Sequence, residues 1–136
     1  MRLHAFGVWV VWTGIALAGC SESAGPGLTD ELVGQWAWVS SFGGIAGIMS
    51  TPASTGMEMT VHFTSDDLVR VTRNGVATEW TRFVIGKGGD ETGFVVTYDV
   101  SPFGFPTQTG HFPEVDVLIL VDPCFDGFES SFERVR

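Results

Sequence analysis

The chain has 136 residues, enough for one domain with a substantial core and too few for two ordinary ones. Phe (11), Trp (5) and Gly (18) are abundant, which favours strands and turns over helices. A net charge of −9 repels phosphate backbones, so nucleic acid is excluded as a partner, as is a polybasic grip on anionic lipid.

Arg2 precedes an uncharged, mostly apolar run from Ala5 to Ala18. That run falls short of the about 20 residues a spanning helix needs, but it suits the core of a signal peptide. Leu17-Ala18-Gly19-Cys20 resembles the lipobox of bacterial lipoproteins. The resemblance implies that residues 1–19 are a cleaved signal peptide and that Cys20 carries thioether-linked lipid and palmitate. Loss of Arg2 with that peptide takes the charge from −9 to −10. Ser21 in the second mature position then implies an outer-membrane lipoprotein facing the periplasm or the exterior. Residues 20–29 are small, polar and breaker-rich, and they read as a flexible tether. With Cys20 acylated, Cys124 is the remaining thiol and no disulfide can form within the domain.

Residues 30–136 form the domain. A helical turn is expected at Thr29–Val33, and strands are expected near 33–41, 57–63, 67–73, 76–85, 93–100, 114–121 and 128–135. The run from Met57 to Phe63 shows the pattern: Met57, Met59, Val61 and Phe63 share one face, while Glu58, Thr60 and His62 share the other. Asn74-Gly75 predicts a two-residue hairpin with positive φ at both positions. Ser65-Asp66-Asp67, Lys87–Glu91 and Asp122–Gly127 mark further connections. Two stretches, 43–56 and 101–113, read as long loops. Seven to eight consecutive strands with short turns predict an all-β fold, an up-and-down antiparallel barrel that closes its own edges.

Gly34-Gln35-Trp36 resembles the Gly-x-Trp motif opening the first strand of lipocalins, and Arg134, with Arg136 as the alternative, stands where their closing Arg belongs. The resemblance to small bacterial lipocalin-like lipoproteins implies that Arg134 stacks on Trp36 and closes the barrel floor. It also implies an open cup that binds a small apolar or amphipathic ligand. Trp38, Met59, Phe63, Trp80, Phe94 and Tyr98 are the expected lining, with Ile45, Ile48 and Met49 of the first long loop over the mouth. The alternative is a filled barrel without a pocket, an interaction module of the cell envelope working through its long loops.

Register from the Asn74-Gly75 turn sets Val71 opposite Thr78, Val69 opposite Trp80 and Asp67 opposite Arg82. Arg82 then points inward, either to meet a ligand carboxylate or, the preferred reading, to form a rim ion pair with Asp67. Asp122, Asp126, Gly127 and Glu133 follow the spacing of positions 1, 5, 6 and 12 in an EF-hand loop. Cys124 at the third position and strand-like flanks argue instead for a hairpin turn. His62, His111 and Cys124 lack zinc-site spacing, so no metal is expected. No nucleophile elbow, phosphate loop or acid–base pair occurs. The sequence therefore points to a monomeric, cofactor-free binding protein rather than an enzyme.

Overall fold

The computed structural model describes residues 26–89 and 93–136; the expectations for the signal peptide and Cys20 lie outside them. Two short helices, α1 (Pro26–Leu32) and α2 (Pro52–Thr55), accompany ten strands. These are β1 (Gly34–Gly43), β2 (Ile48–Ser50), β3 (Met59–Phe63), β4 (Leu68–Arg73), β5 (Val76–Ala77), β6 (Thr81–Lys87), β7 (Gly93–Tyr98), β8 (Thr107–Glu114), β9 (Val117–Val121) and β10 (Phe128–Arg134). The order β10-β9-β8-β7-β6-β4-β3-β1 closes on itself through a β1–β10 pairing. The result is a closed antiparallel barrel of eight largely sequential strands, with β2 and β5 as short additions to β1 and β4. Closure leaves no long exposed edge, which suits a chain whose strands are short and apolar on one face.

Alternation in the sequence becomes alternation across the barrel wall. Val61 and Phe63 on β3, Val69 and Val71 on β4, Phe83 and Ile85 on β6, Phe94 and Val96 on β7, and Leu118 and Leu120 on β9 are buried. Phe63 meets Phe83 edge-on with ring centroids 5.1 Å apart, so the barrel's midsection is solid. Asn74 and Gly75 have φ of 47° and 80°, the geometry their hairpin requires. The helical turn expected at Thr29–Val33 is α1, one turn earlier than foreseen, with Pro26 at the start where its missing N–H costs nothing.

Two local departures matter. The strand expected at 76–85 is interrupted. Thr78 N–H donates to the Val71 carbonyl, but Val71 N–H donates back to the Thr78 side-chain hydroxyl (3.1 Å) rather than to its carbonyl. The chain then gains a residue, and Val69 pairs with Thr81 and Leu68 with Arg82. A one-residue shift exchanges the two faces of a strand. Trp80 and Arg82 therefore lie outside the barrel, and Phe83 points in.

The second departure is β8, in a stretch that reads as loop. Its inward residues are Gln108 and Gly110, neither of them apolar markers. Gly110 is small because the Phe94 ring occupies its side-chain space: a Cβ there would lie 2.5 Å from Phe94 Cζ. The strand expected from 114 begins at Val117, after a tight turn through Val115 and Asp116.

Candidate functional site

The two ends of the barrel differ in chemistry. At the closed end, α1 plugs the opening with Leu32, fully buried, and Leu28 packed against the core. Trp36 Nε1 donates to the Leu32 carbonyl at 2.8 Å. Arg134 donates through Nη1 to the Val33 carbonyl (2.9 Å) and through Nη2 to the Glu31 carbonyl. Its Nε donates to Asp116 (2.9 Å), which also receives Arg136. The carbonyls a helix leaves unpaired at its C-terminus are thus met by an indole and a guanidinium. Gly34, with φ of 138°, lets the guanidinium pass: a Cβ there would sit 2.5 Å from Arg134 Nη1. Depressions outside this plug, including one of about 290 Å³ beside Glu31, Phe112 and Glu114, are lined by groups that already serve the closure.

At the open end lies a cup of about 280 Å³. Trp38 and Ser41 of β1, Met59 of β3, Gln108 of β8 and Ser130 and Phe132 of β10 form its inner wall. Ser50, Thr55, Met57, Phe103, Asp122 and Phe128 form the rim. These groups come from β3, β1, β10 and β8 and the segments beside them, because closure brings β1 and β10 together. Cα pairing of Trp38 with Phe132 places two aromatic residues side by side on the floor of the cup.

The polar groups of the cup form two ordered sets. Trp38 Nε1 donates to Ser41 Oγ (2.8 Å), which contacts Ser130 Oγ (2.7 Å). On the other side Tyr98 O–H donates to Gln108 Oε1 (2.9 Å), and Gln108 Nε2 donates to Asp122 Oδ1 (2.9 Å). Asp122 Oδ2 accepts the Phe128 N–H (3.2 Å), the self-capping turn expected of Asp122–Gly127. Burial, reinforced by the negative charge of Asp122, pushes the Tyr98 hydroxyl well above the usual tyrosine range, so it remains a donor. That donor orients the Gln108 amide, and the amide in turn fixes the carboxylate. Among the described residues, no buried side-chain nitrogen or oxygen lacks a partner.

The expected lining residues separate into three groups. Trp38 and Met59 lie on the wall of the cup. Tyr98 lies behind it, acting through Gln108 and packing on Phe103 with centroids 5.6 Å apart. Phe63 and Phe94 do not reach the cup, because they stack on Phe83 and Phe112 in the filled part of the barrel. Trp80 and Arg82 are corrected to the outer surface by the shift at Thr78–Trp80. There Trp80 meets His62 edge-on and Arg70 lies 4.3 Å over its ring. No ion pair joins Arg82 to Asp67. Ile45, Ile48 and Met49 do not cover the mouth either; they are exposed, and Ser50 and Thr55 take the rim positions.

Sequence reasoning passed over Gln108, Asp122, Ser41, Ser130, Phe103, Phe128 and Phe132. Asp122 carries an adequate turn explanation, and the polar β8 lacks a strand signature. The signal that could have found them is the aromatic-rich spacing of Phe103 and Phe105 just before a Thr-Gln-Thr run. No group of three His, Cys, Asp or Glu suited to a metal occurs among the described residues. No family model, curated protein or solved structure matches the chain.

Proposed function

We propose that this protein is a lipid-anchored, lipocalin-like barrel of the cell envelope that binds a small ligand non-covalently in its open-end cup. The observation that carries the reading is the cup itself: about 280 Å³, walled by Trp38, Met57, Met59, Phe103 and Phe132, with Gln108 and Asp122 converging on it. An apolar cavity with a few fixed polar groups is the usual form of a small-molecule site. Its volume lies just below the usual range for such sites, roughly 300–1,000 Å³. It suits a compact ligand better than a long-chain fatty acid. The lipocalin-like reading is supported by Gly34-Gln35-Trp36 and by Arg134 stacked on that Trp. The anchor is supported by Leu17-Ala18-Gly19-Cys20 and the apolar run before it. We read the site as binding rather than catalytic, since none of its polar groups stands as a nucleophile beside a base.

Native mass spectrometry of the purified protein, followed by Trp fluorescence titration with a panel of compact apolar and amphipathic compounds, tests this reading. A retained or saturably bound compound supports it; a flat response across the panel rejects it.

One observation favours a second reading, an interaction module. Phe42, Ile48 and Met49 are each more than half exposed on the β1–β2 hairpin, and Ile45 at its tip is 94% exposed. Such a patch on a monomer points to a docking surface.

A further inference from the structure

The charge of the cup bears on what it takes. Asp122 lines it, yet both hydrogen bonds to its carboxylate come from neutral N–H groups, Gln108 Nε2 and the Phe128 backbone. Among the described residues, ion pairs join only Asp116 to Arg134 and Arg136, so Asp122 has no counter-charge. A carboxylate offers about four acceptor positions, and two remain open. The inward-facing cation nearest the rim is Arg73, whose Cα pairs with that of Met59. Its guanidinium donates to the Pro102 carbonyl (3.1 Å) and does not line the cup.

The remaining wall is aromatic. Trp38, Phe103, Phe128 and Phe132 present π systems around the same space. Aromatic walls attract cations, and quaternary ammonium groups are the ligands such walls recognise best. A carboxylate-bearing ligand would bring like charge toward Asp122 without a compensating donor cation. The protein's net charge of −9 adds long-range attraction for cations in the same direction.

We propose that the cup selects a small organic cation, an aryl- or alkylammonium ion, with Asp122 as counter-charge and Trp38, Phe103, Phe128 and Phe132 as its aromatic walls. The inference rests on the reading that the cup holds a ligand, and it specifies that ligand's chemical class. Gln108 acts as a positioning residue: held by Tyr98, it keeps the carboxylate turned toward the cavity. In the Trp38–Ser41–Ser130 set the indole N–H is already used, so the donors that remain there are neutral hydroxyls, which offer an anion no counter-charge.

The test is isothermal titration of the full-length protein with three probes of one shape. These are phenethyltrimethylammonium, its neutral tert-butyl isostere and hydrocinnamate. The cation is expected to bind at least about 10-fold more tightly than the neutral isostere, the gain of a cation–π contact with a partly exposed ion pair. Hydrocinnamate is expected to bind most weakly. Asp122→Asn should erase most of the cation's advantage and leave the neutral isostere within about 2-fold. If that variant does not fold, Phe103→Leu, on a loop, should weaken the cation more than the isostere and so narrow the ratio between them. Equal binding of all three, or preference for the neutral or anionic probe, overturns the cation inference while leaving the cup as a ligand site. Failure of all three to bind overturns the inference, and the broader panel then decides the binding reading separately.

Discussion

Arg134 lies over the indole of Trp36, its guanidinium carbon 4.2 Å from the ring centroid, and the two residues are also Cα partners across the β1–β10 seam. One pair of side chains therefore joins three things: closure of the barrel, the end of α1 and the floor of the core. Trp36→Ala should cost about 3–5 kcal/mol, as truncation of a buried Trp does. Arg134→Ala should cost less, about 1–3 kcal/mol, by leaving the Val33 and Glu31 carbonyls without their guanidinium partner. The double variant should lose less than the sum, because each single change already destroys the shared contact. Denaturant unfolding of the four proteins gives the coupling energy, and strict additivity would show that the stack contributes nothing beyond its parts.

Gly110 and Phe94 form a steric pair on neighbouring strands. Gly110→Ala should destabilise by about 1–3 kcal/mol, since the new methyl meets an aromatic carbon already locked in the core. Adding Phe94→Leu should recover part of that loss, although Phe94→Leu alone is destabilising. Thermal unfolding of the single and double variants reads the sign of the coupling.

Tyr98 is the only tyrosine, so its ionisation can be followed by absorbance without overlap. Its hydroxyl is held above the ordinary tyrosine value of 10.0 by burial first and by Asp122 second. A raised folded-state value means the folded protein keeps a proton that the unfolded chain releases. The stabilisation is fully present below pH 10.0 and declines as pH rises above it. Tyrosinate absorbance should therefore appear only together with loss of fold, and a reversible titration near pH 10 in the folded state would contradict this. Tyr98→Phe should remove the alkaline loss and cost about 1–3 kcal/mol at neutral pH by stranding Gln108 Oε1.

Ser50 borders the cup, and no hydrogen bond of its side chain is found among the described residues. Ser50→Phe should reduce the affinity of any cup ligand at least about 10-fold by occupying the entrance, with the melting temperature nearly unchanged. Trp38→Phe should diminish the fluorescence response to the same ligand, whereas Trp80→Phe, on the outer surface, should leave it intact.

Cys20→Ser should abolish a lipid-dependent mass increase and release the protein from membranes. Intact mass and fractionation of the wild-type protein decide the matter: a soluble protein with unmodified Cys20 would defeat the anchor proposal.

Much of the barrel is legible along the chain because strand alternation is a local property. Met59-Thr-Val-His-Phe63 declares its inward face within five residues, the apolar run Val117-Leu-Ile-Leu-Val121 declares a strand, and Asn74-Gly75 declares its turn by the backbone angles it permits. The pairing of Trp36 with Arg134 is implied by the resemblance of Gly34-Gln35-Trp36 to the Gly-x-Trp motif, and the β1–β10 seam brings the two together. Register was not local in this way. Thr78 could as readily have offered its carbonyl as its hydroxyl to Val71, and only the fit of Phe83 and Ile85 into the core favours the shifted pairing that turns Trp80 and Arg82 outward. The cup was hidden for a related reason. Gln108 is a polar residue whose inward placement is favourable only when Tyr98 and Asp122 stand beside it, and those partners meet it through tertiary contact alone. Apolar burial acts residue by residue and so leaves its mark on the sequence; polar burial needs a partner in place, and that placement belongs to the closed barrel.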